Sequence, residues 1–92
     1  MTKVQDAALA EAFAVQLRDL RKAAGLSQEQ LAHLAGADRT FVGKLEQGKH
    51  QPSLAVVFAL AHAVDKTPEA LIAMVRARLD RPNQAHRILE SV

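Results

Sequence analysis

Arg39, Thr40 and Lys44 fall within the short stretch "RTFVGK", and all three carry side chains suited to polar recognition. On an α-helix, at about 100° per residue, they share a direction with Gly43, while Phe41, Val42 and Leu45 point roughly the opposite way. Arg or Lys can present paired donors to guanine, and Thr can hydrogen-bond a base or touch a thymine methyl. A glycine among them lets the backbone itself come close to a ligand. This chemistry reads a surface and turns over no substrate. The rest of the polar inventory agrees. The chain has no Cys, which excludes a thiol nucleophile, a disulfide framework and a Cys-based zinc site. His33, His62 and His86 show no metal-ligand spacing. There is no Gly-rich phosphate loop, and no Ser/His/Asp set can be placed in a cleft. We expect no enzyme, no metal and no cofactor.

Helices must position that polar face. The 92 residues are 49% hydrophobic with Phe as the only aromatic type, so the core is aliphatic, and abundant Ala and Leu favour helix over strand. One domain spanning residues 1–92 is expected, with a core at about 6–80 and a tail at 81–92. Asp6 can cap a first helix with apolar positions at Leu9, Phe13, Leu17 and Leu20, and Gly25 ends it. Ser27 with Gln30 reads as a capping box for a second helix carrying Leu31, Ala32 and Ala35 inward, and Gly36 stops it. Asp38 caps the third helix, which ends at Gly48. Ser53 caps a fourth, whose stripe is Leu54, Val57, Phe58, Ala61 and Val64, with Val56 and Leu60 off it. Thr67-Pro68 opens a fifth, Pro being well suited to the first helical position, and Pro82 lies beyond its end. The segment "NQAHRILESV" can add one short turn or helix. The reading is all-α, five helices with short connections. The second and third helices are joined by Gly36, Ala37 and Asp38 alone, the pattern of a helix-turn-helix. In that arrangement the second helix of the pair enters the major groove.

The stretch "LSQEQLAHLAGADRTFVGKLEQGKHQPSL" resembles the Cro/cI-type helix-turn-helix domains, the XRE family, of phage repressors and bacterial regulators. Several elements match in order: "SQEQLA", the Gly turn, "RTFVGKLE", "GK" and "PSL". The resemblance runs from about Phe13 to Met74. It implies a compact five-helix, lambda-repressor-like fold and a dimer on a two-fold operator. Arg39, Thr40 and Lys44 match positions that meet base edges. Gly43 matches another outward position, and with no side chain it can serve only as a point of backbone approach. Gln28 matches a glutamine whose side chain and backbone amide hold a phosphate, a role the free amides and dipole of a helix N-terminus favour. Lys49, with His50 and Gln51 in the following loop, matches a segment that contacts the DNA backbone. Arg21 and Glu46 match a structural ion pair between the first helix and the end of the recognition helix.

The apolar surplus of the last helix and tail gives a homodimer expectation, with Ile72, Val75, Leu79, Ile88 and Leu89 at the interface. Expected partners are double-stranded DNA, a second copy and, by analogy with the family, RNA polymerase or a toxin. The longest apolar run, Leu54 to Ala61, is far short of the roughly 20 residues of a membrane helix, so no membrane partner and a cytoplasmic location are expected. Net charge is only +2, and between Ser27 and His50 the basic and acidic side chains balance. Charge alone therefore does not argue for nucleic acid. It leaves a second hypothesis, a protein-interaction module of the antitoxin type that keeps the fold without reading DNA. Restriction–modification controllers, phage repressors and antitoxins all fit a DNA-binding domain of this size.

Overall fold

Local capping chemistry sets where the helices of the computed structural model begin. The model describes residues 6–80. Its helices are α1 (Ala7–Ala23), α2 (Gln28–Ala35), α3 (Arg39–Glu46), α4 (Leu54–Ala63) and α5 (Pro68–Leu79), with no strand among the described residues. Ser27 Oγ accepts the Gln30 amide at 3.0 Å, and the Gln30 side chain accepts the Ser27 amide at 2.8 Å, so the capping box is complete. Asp6, Ser53 and Thr67 cap α1, α4 and α5 by accepting the amides of Leu9, Val56 and Ala70. Asp38 differs from expectation. It holds the N-cap position of α3, but its side chain makes no capping hydrogen bond.

The helix ends are equally local. Gly36 turns left-handed at φ +68°, and the Ala37 amide returns to the Ala32 carbonyl at 2.8 Å. The same closure ends α4 at Asp65, at φ +60°, where the amides of Asp65 and Lys66 return to His62 and Ala61. A side chain in that conformation is tolerated best for Asn and Asp.

Every helix contributes to one core. Leu17 of α1, Leu31 of α2, Val42 and Leu45 of α3, Leu60 of α4 and Leu71 of α5 are fully buried. Each such side chain gains about 1.5–3 kcal/mol from leaving water. α1 packs on α3 and α5, α2 on α3 and α4, and α4 on α5, which gives a compact five-helix domain. The Arg78 guanidinium donates to Gln16 Oε1 at 2.6 Å and pairs with Asp19, tying α5 to α1.

Two sequence expectations change here. The inner face of α4 is Val57, Leu60 and Ala61, continued by Val64, whereas Leu54 and Phe58 are 73% and 55% exposed. The segment is apolar nearly all round, so spacing sets no phase. Packing between α2 and α5 selects the face that holds Leu60. On α5, Val75 is only 3% exposed and belongs to the core. Its expected place at a dimer surface is therefore corrected: the side chain is already spent on its own chain. Leu79 is half-buried and packs against the same core, while Ile72 stands half exposed. Ile88 and Leu89 lie outside the described residues. No described helix is long and apolar enough to cross a membrane.

Candidate nucleic-acid interface

α3 presents two unlike faces. Val42 and Leu45 are buried and Phe41 is half-buried, so this side locks onto the core. Arg39, Thr40 and Lys44 are all exposed on the other side, with Gly43 between them. The turn from α2 takes only three residues, so the outer face of α3 and the N-terminus of α2 are displayed together.

The pose of α3 depends on a largely buried ion pair, Glu46 being the buried partner and Arg21 partly exposed. Arg21 Nε donates to Glu46 Oε2 at 2.6 Å, and its Nη2 donates to Glu46 Oε1 at 3.1 Å. This fork-on-carboxylate geometry is the strong form of a charge-assisted hydrogen bond. The Arg21 Nη1 also donates to the Leu26 carbonyl at 2.8 Å, so one guanidinium joins α1, the α1–α2 connection and α3. Glu46 is the buried acid of the described residues, and no buried side-chain polar atom among them lacks a hydrogen-bond partner.

Gln28 completes the network. Its Nε2 donates to Glu46 Oε1 at 3.1 Å, so the glutamine at the start of α2 is held by the acid at the end of α3. One N–H of that amide is used, and the amide carries a second. The backbone amides of Gln28 and Glu29 begin α2 and have no acceptor within the helix. A methyl group added at Gly43 would meet nothing outside its own helix closer than the Gln28 side-chain oxygen, at 3.8 Å. The fold therefore has room for alanine where α3 carries glycine.

The loop after α3 is fixed from two sides. Gly48 turns left-handed at φ +73° against α1, where an added Cβ would lie 3.5 Å from the Glu11 carboxylate and 3.7 Å from its Cα. The Lys49 amide returns to the Lys44 carbonyl at 3.0 Å. Gln51 accepts the backbone amide of Asp6, joining the loop to the start of α1. Lys49 and His50 are exposed between these anchors, and the His50 ring stacks on Phe41 with centroids 6.3 Å apart. The sequence reading set Gln51 beside Lys49 in a loop facing the DNA backbone and missed both its bond to the Asp6 amide and the Gln28–Glu46 bond. Their partners lie 45 and 18 residues away in the chain, and only the folded arrangement brings them together. It also missed that Leu54 and Phe58 are surface residues.

Residues 12–75 match the helix-turn-helix domain family. The chain belongs to that family. It is a family of DNA-binding regulators, not of enzymes, and it takes in Cro/cI-like and restriction-modification controller proteins. The chain is 34% identical over 62 residues to the control protein C.SmaI of Serratia marcescens, covering 67% of this chain and 74% of the relative. It is 47% identical to the restriction-modification controller protein C.AhdI of Aeromonas hydrophila, with a TM-score of 0.65, covering 67% of this chain and 94% of that one. The clp gene regulator ClgR of Corynebacterium glutamicum shares the fold at a TM-score of 0.77 over 90% of this chain and 87% of its own, at 20% identity. Among the described residues no group of His, Asp and Glu side chains could hold a metal ion.

Proposed function

We propose that this helix-turn-helix protein is a sequence-specific transcriptional regulator that binds a two-fold operator as a homodimer. The observation that carries the reading is the exposed outer face of α3: Arg39, Thr40 and Lys44 flank a glycine that the packing of the chain itself does not require. Arg39 and Lys44 donate to guanine edges in the major groove, and Thr40 meets a neighbouring base. Gly43 allows the α3 backbone to approach the duplex. The first-turn amides of α2 and the second N–H of Gln28 hold one phosphate, while Lys49 and His50 meet the backbone on the other flank. Arg21 and Glu46 touch no DNA and hold α2 and α3 at the docking angle. Ile72, together with Leu54 and Phe58, supplies the self-association surface.

Likeness to the restriction-modification controller protein C.AhdI favours that role over a phage repressor or an antitoxin. The working compartment is then the cytoplasm, where the promoter and RNA polymerase are. The modest charge of one domain is offset by the dimer, because the second half-site is bound at high effective concentration.

Selection of bound sequences from a random DNA pool tests the reading. The expected product is a palindrome with half-site centres about one helical turn apart. Failure to retain any duplex, with binding to a protein partner that salt does not weaken, would overturn it and leave the interaction-module alternative.

A further inference from the structure

The chain that leaves α3 runs back along α1 and meets it at three places. Glu46 is bonded to Arg21, Gly48 lies against Ala10 and Glu11, and the Gln51 side chain accepts the backbone amide of Asp6. The partners descend along α1 as the second segment advances, so the two stretches are antiparallel. Between Asp6 and Arg21 the axis of α1 rises about 22 Å. Each end of this one helix holds a different group with a proposed backbone contact. At the C-terminal end Arg21 holds Glu46, and Glu46 holds Gln28 at the start of α2. At the N-terminal end Asp6 holds Gln51, which directly follows Lys49 and His50. The His50 ring also stacks on Phe41, so the loop is tied to α3 as well as to α1.

We propose that Gln51 is a positioning residue for DNA binding: its bond to Asp6 seats the Lys49–His50 loop on α1, and α1 thereby fixes the spacing of the two phosphate contacts that flank α3. The inference rests on the backbone roles proposed above for Gln28, Lys49 and His50, and adds what holds them in register. Gln51 and Asp6 are both exposed. Water would serve the two groups nearly as well, so their bond contributes little to folding. Its effect is geometric. Phosphate contacts set the orientation and register of a protein on the duplex. A helix lying in a groove about 12 Å wide has a sugar-phosphate strand on each side, so the contacts to the two strands must keep one separation. A loop held in place before DNA arrives also loses less freedom when it binds. Gln51 therefore acts through Lys49 and His50, its side-chain oxygen being engaged by Asp6.

A double-mutant cycle in the full chain tests this, with affinity for a selected operator measured across a salt series and phosphate contacts mapped by ethylation interference. Q51A removes the acceptor, and Q51L removes it while keeping much of the side chain's bulk. Each should melt with the unaltered chain, lower affinity about 3–10-fold and reduce the salt slope by about one unit. Base preference should not change. Interference should fade at the phosphates that K49A also loses and persist at those that Q28A loses. In a K49A/H50A background Q51A should cost nothing further, because the groups it positions are gone. A Q51A chain with the salt slope and interference pattern of the unaltered protein would overturn the proposal. So would a Q51A loss that adds in full to that of K49A/H50A, since Gln51 would then touch the phosphate itself. Both results would leave the backbone contacts standing. An unaltered chain that binds its operator with no phosphate dependent on Lys49 or His50 would overturn those contacts, and the role of Gln51 with them.

Discussion

The outer face of α3 and the groove between α4 and α5 are both exposed surfaces of short helices, and they are built in opposite ways. α3 offers long polar side chains around a glycine, with its fixed chemistry hidden behind it in the Arg21–Glu46 pair. The groove offers Leu54, Phe58 and Ile72, apolar side chains that nothing in the described chain covers, with charges only at its rim. Polar groups lose little by remaining in water until a hydrated, anionic partner arrives. Apolar ones gain only when water is removed. On the proposed reading, the difference sorts the two surfaces by partner: nucleic acid for α3, protein for the groove.

Variants that separate the two surfaces sharpen this contrast. The largest effect is expected from Glu46→Ala, which leaves the largely buried Arg21 guanidinium without its carboxylate. Breaking such a pair costs about 3–5 kcal/mol, measurable by urea denaturation. It also frees Gln28, so DNA affinity should fall even at temperatures where the chain stays folded. Arg39→Ala comes next, at about 1–3 kcal/mol of binding and with relaxed preference at one base position, while self-association is unchanged. A uniform loss across all sequences would assign Arg39 to the phosphates instead. Phe58→Ser should do the reverse. It weakens dimerisation with little change in monomer stability, because the ring is already largely exposed.

Gly43→Ala sharpens the contrast from the side of stability. Alanine in a helix interior gains about 1 kcal/mol over glycine, and the added methyl meets only an ordinary contact at 3.8 Å. The fold should become more stable while DNA binding weakens, a combination no structural role for the glycine would give. The smallest effect belongs to Lys49→Ala, which should lower the salt dependence of DNA binding by about one unit and leave base preference unchanged.

The helix boundaries were legible because they are local. The Ser27–Gln30 box, the left-handed Gly36 and the Thr67-Pro68 start need only a few neighbouring residues to act. The inward face of α3 was equally plain, since polar and apolar residues alternate there with a clear helical phase. α4 was not, because a helix apolar on nearly every side carries no phase in its sequence. Only the positions of α2 and α5 decide that Leu60 turns inward and Phe58 outward. Val75 was misplaced for a related reason: apolar residues in surplus do not say which of them the core will take. The Gln28–Glu46 bond and the Gln51 anchor depend on chain segments far apart, and no local pattern announces them.

The residues that start and stop α2 and α3, namely Ser27, Gln30, Gly36 and Gly48, stand apart from Arg39, Thr40 and Lys44. Folding instructions and the proposed reading head are thus written in separate letters. A lineage can rewrite the second without disturbing the first, so new operator preferences are open to stepwise mutation, each intermediate still a folded protein.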